Sequence, residues 1–215
     1  MNAREEILGW VRAATADVTD PIGARGATPV VEIPSPGTAE TLRFFAENVA
    51  DYRATVLECD AAHVGERVAE GFAAAGCHRV VVPSGLDPAW TSALGQDVVA
   101  VPEAQAGSHG QLESVDGVVT AAAVGIATTG TIVLDHRADQ GRRELTLVPD
   151  VHVCVVRADQ VVHDVPEAVA RLRPGADGAR PQTWISGPSA TSDIELQRVE
   201  GVHGPRTLVV IIVTG

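Results

Sequence analysis

The sequence predicts a single α/β domain built on a mostly parallel sheet. Hydrophobic residues make up 45% of the 215-residue chain, enough for one domain to bury a full core by itself. Aromatics are only 3%, so the core must be Val, Leu, Ile and Ala, which suits buried parallel strands under Ala-rich helices. From Ala54 onward, short apolar runs alternate with segments of helical period. That β-α-β rhythm implies parallel strands joined by right-handed crossovers.

Taken in order, Ala3 to Ala14 carries Ile7, Leu8 and Val11 at helical spacing, which makes an amphipathic helix. Thr15 to Gly37 holds Pro21, Pro29, Pro34 and Pro36 with Gly23 and Gly26 between them. It reads as an extended connection with one short edge strand at Pro29 to Ile33. Such a length wraps a surface or reaches a partner. Thr38 to Ala50 is a second helix with Leu42, Phe44, Phe45 and Val49 on its apolar side. Residues 1–50 therefore read as a helical arm and connection, and 51–215 as the globular α/β domain.

Ala54 to Glu58 is a strand, and Ala61 to Ala75 a helix closed by Gly76. Arg79 to Val82 is a strand ended by Pro83-Ser84-Gly85, and Pro88 to Leu94 a short helix with proline at its start. Asp97 to Val101 is a strand, and Gly110 to Val115 one helical turn. Gly117 to Ala123 and Ile132 to Leu134 read as strands joined by a Gly/Thr turn, an antiparallel excursion from the parallel sheet. Asp135 to Arg143 is a charged loop, Val151 to Val156 a strand and Pro166 to Leu172 a helix. Arg173 to Pro181 is a Gly/Pro/Asp surface loop. Trp184 and Ile185 end an apolar run at Gly187-Pro188. Ile194, Leu196 and Val199 give one side of a helix closed by Gly201. Thr207 to Val213 is a buried strand.

The net charge of −12 opposes a phosphate backbone, which excludes general nucleic-acid binding. The three cysteines, Cys59, Cys77 and Cys154, have no spacing suited to zinc or an iron–sulfur cluster. They read as reduced, buried thiols of a cytoplasmic protein. The amino terminus has no signal-peptide pattern, and no apolar run approaches the ~20 residues of a membrane helix. No cofactor or metal is expected.

Two stretches concentrate polar chemistry. Gly125 to Thr131 exposes backbone N–H groups and the hydroxyls of Thr128, Thr129 and Thr131 around Gly130, a nest suited to phosphate or carboxylate. It is not a Walker loop, because the chain contains no Lys, and its glycine spacing is not the dinucleotide fingerprint. A plain hairpin, with glycines serving positive φ, is the competing reading. Ser186 to Glu195 holds Ser186, Gly187, Ser189, Thr191 and Asp193. Asp193 suits a general base, a metal ligand or a substrate anchor, while Ser192 and Glu195 fit a helix capping box. A helix start after a glycine turn is also an anion site. His203 sits in a tight turn beyond that helix. His109 and His152 are further candidates for proton transfer, each with a structural alternative. Arg137, Arg142 and Arg143 form a local basic group able to draw in a carboxylate, or else a solvated loop.

Four blocks in this order resemble the lactate-utilisation protein C family, the LUD domain: Gly125 to Leu134, Leu147 to His152, Ser186 to Glu195 and Gly201 to Pro205. The resemblance covers roughly residues 50 to 215. It implies a three-layer α/β/α fold like that of glucosamine-6-phosphate deaminase, ribose-5-phosphate isomerase and CoA transferases. It also implies a role in oxidising L-lactate to pyruvate beside iron–sulfur partner proteins. The family usually carries an acidic residue where this chain has Thr128.

The expectation is thus a cluster-free subunit binding a small anion at the carboxyl ends of adjacent strands. Thr129, Thr131 and Ser189 would donate hydrogen bonds, and Asp193 and His203 would set the charge as the candidate catalytic pair. Two alternatives stay open: a free-standing isomerase or CoA-transferase-like enzyme, and a non-catalytic carboxylate-sensing module. The oligomeric state is open too, a homo-oligomer included.

Overall fold

The computed structural model describes residues 3–17, 38–172, 180–191, 199–200 and 204–214. Contacts divide the chain into residues 1–33 and 34–215. The first unit supplies helix α1, Ala3–Ala14, none of whose residues is buried. The expected edge strand at Pro29 to Ile33 lies outside the described residues.

The second unit opens with α2, Thr38–Asp51. The alternation then runs β1 (Thr55–Cys59), α3 (Val64–Ala74), β2 (Arg79–Val82), β3 (Val99–Pro102), α4 (His109–Leu112) and β4 (Gly117–Ala121). With β7 (Val151–Arg157) and β12 (Thr207–Val213), these strands form one six-stranded sheet in the order β1-β12-β7-β4-β2-β3. Every pairing in it is parallel. The α/β class and the mostly parallel sheet follow the sequence expectation.

Alternation along each strand sends neighbouring side chains to opposite faces. Val153, Val155, Val209 and Ile211 share one core with Val68 and Phe72 of α3. Cys154, Val156, Val210 and Ile212 share the other with Phe45 and Val49 of α2. Each face fully buries one phenylalanine: Phe72 on the first and Phe45 on the second.

A second sheet differs from expectation. The chain leaves the large sheet after Ala121, and the hairpin is β5 (Val124–Ile126) with β6 (Thr131–Leu134). These pair with β8 (Val161–Val162) and β9 (Thr183–Ile185) in the order β8-β5-β6-β9. Ala127, Ile132 and Leu134 join the Phe45 core, so this sheet covers a face of the first rather than extending it. Both sides of β5 and β6 are buried, so they carry no alternation from which sequence could tell the two sheets apart.

α2 is tied to the hairpin by Asn48, whose Nδ2 donates to the Ala127 carbonyl at 2.7 Å. Asn48→Ala leaves that carbonyl without its donor. We expect a loss of about 1–2 kcal/mol, read from urea denaturation.

The carboxyl-terminal segment holds another correction. Ala190–Thr191 (β10) pairs antiparallel with Val199–Glu200 (β11), so Val199 is extended rather than helical. Residues 192–198 lie outside the described residues, and with them the capping box. Among the described residues, no helix is long and apolar enough to cross a membrane.

Candidate functional site

The two polar stretches meet. β6 and β9 are antiparallel with Ile132 opposite Ile185, so the same register carries Thr131 toward Ser186. Their hydroxyl oxygens lie 2.8 Å apart. Thr129 extends the chain, with its Oγ1 2.7 Å from Thr131 Oγ1. Thr131 is buried, so this relay stands behind Ser186 rather than facing solvent.

Ser186 opens onto a cavity of about 340 Å³, a size suited to a small metabolite. Gly187 turns the chain with φ +83°. The Ser189 amide then donates to the Pro205 carbonyl at 2.8 Å, closing one wall. Arg143, Thr146 and Leu147 supply another wall, and His152 and Leu208 also line the cavity. His152 and Leu208 are the second residues of β7 and β12. The cavity therefore lies at the amino ends of the parallel strands, not the carboxyl ends as expected. The physical reason is register: β9 runs antiparallel to β6 and delivers Ser186 beside the start of the hairpin's second strand.

The basic group is split apart. Arg137 Nε pairs with Asp135 Oδ2 at 2.8 Å. Arg142 reaches Glu103 and Glu144, each at 3.6 Å, and donates to the Ala106 carbonyl. Arg143 lines the cavity and pairs with no carboxylate among the described residues. Among the described residues that line the cavity, it is the cation that faces an incoming anion.

His152 is almost wholly buried, with Nε2 2.8 Å from Thr120 Oγ1. Burial opposes its charged form and lowers its pKa to about 4, so the imidazole is neutral at pH 7. Thr183, also in the lining, meets His136 Nε2 at 2.9 Å. His136 Nδ1 faces the Gly141 carbonyl at 3.1 Å. A carbonyl only accepts, so Nδ1 carries the proton and, in the neutral ring, Nε2 accepts from Thr183. His136 sits in a left-handed conformation, φ +55°, where its two bonds hold the Arg-bearing loop to β9.

The other expected site residues divide. Thr128 is exposed, and its amide donates to the His163 carbonyl at 3.0 Å. Gly130 is buried against the backbone of Asn48 and Val49. None of Thr128, Thr129, Gly130 and Thr131 is in the cavity lining; Thr129 and Thr131 act only behind Ser186. Asp193 and His203 lie outside the described residues, as does the side chain of Thr191. His109 is exposed on α4, 3.2 Å from Glu113. Thr146, Thr183 and His136 were missed by sequence reasoning. Each joins through tertiary contacts across the loop, and no local motif marks them. Among the described residues, no three His, Cys, Asp or Glu side chains gather to hold a metal ion.

What the cavity offers chemically is one guanidinium, several hydroxyls and a neutral imidazole. Such a set is chemically suited to a small anion, by charge and hydrogen bonding.

Residues 3–213 match the LUD domain family, so the match takes in the first fifty residues as well. A lactate utilization protein C from Deinococcus radiodurans is 47% identical over 213 residues, covering 98% of this chain and 95% of the relative. One from Geobacillus thermodenitrificans is 32% identical over 130 residues, covering 58% of this chain and 49% of that protein. The crystal structure of a DUF162 family protein from Deinococcus radiodurans superposes with a TM-score of 0.71 at 41% identity, covering 83% of this chain and 99% of that one. With the family match running nearly end to end, this chain belongs to the LUD domain family.

Proposed function

We propose that this chain is a subunit of an L-lactate utilisation system and binds a small carboxylate in the Arg143–Ser186 cavity. The observation that carries this is the 47% identity, over almost the whole of both chains, to a lactate utilization protein C. The cavity chemistry agrees with it. Arg143 neutralises the carboxylate, and Ser186 donates to it, backed by Thr131 and Thr129.

Electron transfer belongs to iron–sulfur partner proteins in this reading. Burial pushes the Cys77 thiol up to about 11 and the Cys154 thiol up to about 12, so in the free chain both are inert, protonated thiols at neutral pH.

Deleting the gene should abolish growth on L-lactate while leaving growth on glucose intact. Normal growth on lactate in a strain without a paralogue ends the proposal. A tagged chain should also retain iron-bearing partners on purification. In calorimetric titrations with L-lactate and pyruvate, Arg143→Ala should weaken binding about ten- to a hundredfold, the effect of losing a charge-assisted hydrogen bond.

A further inference from the structure

The far edge of the parallel sheet carries a second polar cleft. Arg157 and Val213, the last residues of β7 and β12, line its walls. Five residues along β7 separate Arg157 from His152, so this edge is about 16 Å from the first cavity. Two adjoining cavities, of about 260 and 330 Å³, share Asp139 and Arg157 in their linings.

The loop that follows β6 and runs to Arg142 crosses this edge at Ala138 and Asp139. The Gly85 amide donates to the Ala138 carbonyl at 2.8 Å, and the Ala121 amide to the Asp139 carbonyl at 3.0 Å. Asp139 is thus fastened across the carboxyl ends of β2 and β4. Those strands are neighbours in the sheet, and the chain continues from β2 outward to β3 but from β4 inward to β7. A reversal of this kind opens a crevice in which parallel sheets take ligands.

The crevice holds unsatisfied groups. Asp135 is only 6% exposed. Its Oδ2 is held by Arg137, but its Oδ1 has no hydrogen-bond partner. Asp139 Oδ1 is buried and likewise without a partner. Buried carboxylate oxygens normally find donors, and the surroundings are otherwise well satisfied. Gln140 Oε1 accepts from the Asp135 and His136 amides. Gln160 accepts from the Arg157 amide and donates to the Ala122 carbonyl. The loop is braced while two acceptors point at no donor. Arg157 and, from α5 (Val165–Leu172), Arg171 line the same cleft.

We propose that the Asp135–Asp139–Arg157 cleft is a second binding site, for a small hydroxylated anion. The acid group would lie against Arg157 and Arg171. The hydroxyls would donate to the open oxygens of Asp135 and Asp139. Burial above all raises the pKa of Asp139, opposed by a hydrogen bond from its own amide; the neighbouring Asp135 raises it further, and Arg137 and Arg157 offset part of this. A hydroxyl donor that occupies the site relieves the same desolvation.

The test is calorimetric titration of the whole protein with D-glycerate and with glycerol 3-phosphate, which separates a carboxylate from a phosphate ligand. Propionate, lacking the hydroxyls, and glycerol, lacking the acid, are the controls. At least one of the two hydroxylated anions should bind tenfold or more tightly than both controls. Arg157→Ala, Arg171→Ala and Asp139→Ala should each weaken it by tenfold or more. Both arginines are exposed, so their variants keep the fold even if Asp139→Ala does not. Arg143→Ala should leave this binding unchanged. Propionate binding equally well, absence of binding by both hydroxylated anions at millimolar concentration, or loss in Arg143→Ala but not in Arg157→Ala overturns the proposal. The last pattern would locate the ligand in the first cavity, so the two sites stand or fall separately.

Discussion

Gly130→Ala should destabilise the protein by roughly 2 to 6 kcal/mol. Two costs combine: about 1–3 kcal/mol for a left-handed non-glycine residue and about 1–3 kcal/mol for overpacking. Gly130 has φ +56°, and a Cβ there would lie 2.6 Å from the Asn48 carbonyl carbon and 2.8 Å from the Val49 amide nitrogen. Those are backbone atoms of α2 and cannot swing aside. The thermal midpoint should fall by about 4 to 24 °C, at about 2–4 °C per kcal/mol for a domain of this size. Gly95→Ala is the control, because nothing lies within 4 Å of its Cβ position. It should change stability by no more than about 0.5 kcal/mol. If both variants melt like the parent, the close approach of α2 to the hairpin is not as described. The glycine's role is therefore packing as well as turning: it lets Asn48 reach Ala127 and so sets where Thr131 presents its hydroxyl to Ser186.

Acidification should cost about 3 kcal/mol of stability through His152 alone. The folded-state pKa is about 4 because of burial, against ~6.5 for an unfolded histidine. Between those values the unfolded chain binds the proton and the native one does not. Stability is thus complete above pH 6.5 and is lost progressively down to pH 4. Urea denaturation of parent and His152→Gln across that range checks this, and the variant should lack this part of the slope. Identical slopes would mean that His152 is not desolvated. Asp139 acts with the opposite sign. Its raised pKa contributes stability that is present below the unfolded value and lost as pH rises through the folded one. Comparing the two proteins cancels that term. An anion bound beside His152 favours its charged form, so ligand and proton binding should be linked at this cavity.

Much of the fold was legible because local composition and burial agree. β7 and β12 are near-continuous runs of Val and Ile, and both are central and parallel. α3 shows its apolar period and ends before Gly76, whose φ is +69°. The two polar loops were expected to adjoin, but the contact that joins them, Thr131 to Ser186, was not. Nor was the edge of the sheet on which they meet. That depends on β9 pairing antiparallel with β6, and a three-residue strand carries no directional signal in its residue types. The arginine loop makes the same point. Arg137, Arg142 and Arg143 look alike in sequence, yet one pairs with Asp135, one with Glu103 and Glu144, and one faces the cavity.

By itself the sequence determined the α/β class, the strand and helix order of the parallel half, and membership of the LUD domain family, because each rests on local pattern or ordered motifs. Tertiary structure alone decided the second sheet, the side of the large sheet on which the Arg143–Ser186 cavity opens, the placing of Arg143 rather than its neighbours in that cavity, and the unpaired oxygens of Asp135 and Asp139. All of these arise from contacts between residues distant along the chain, whose energies depend on burial and orientation rather than residue type.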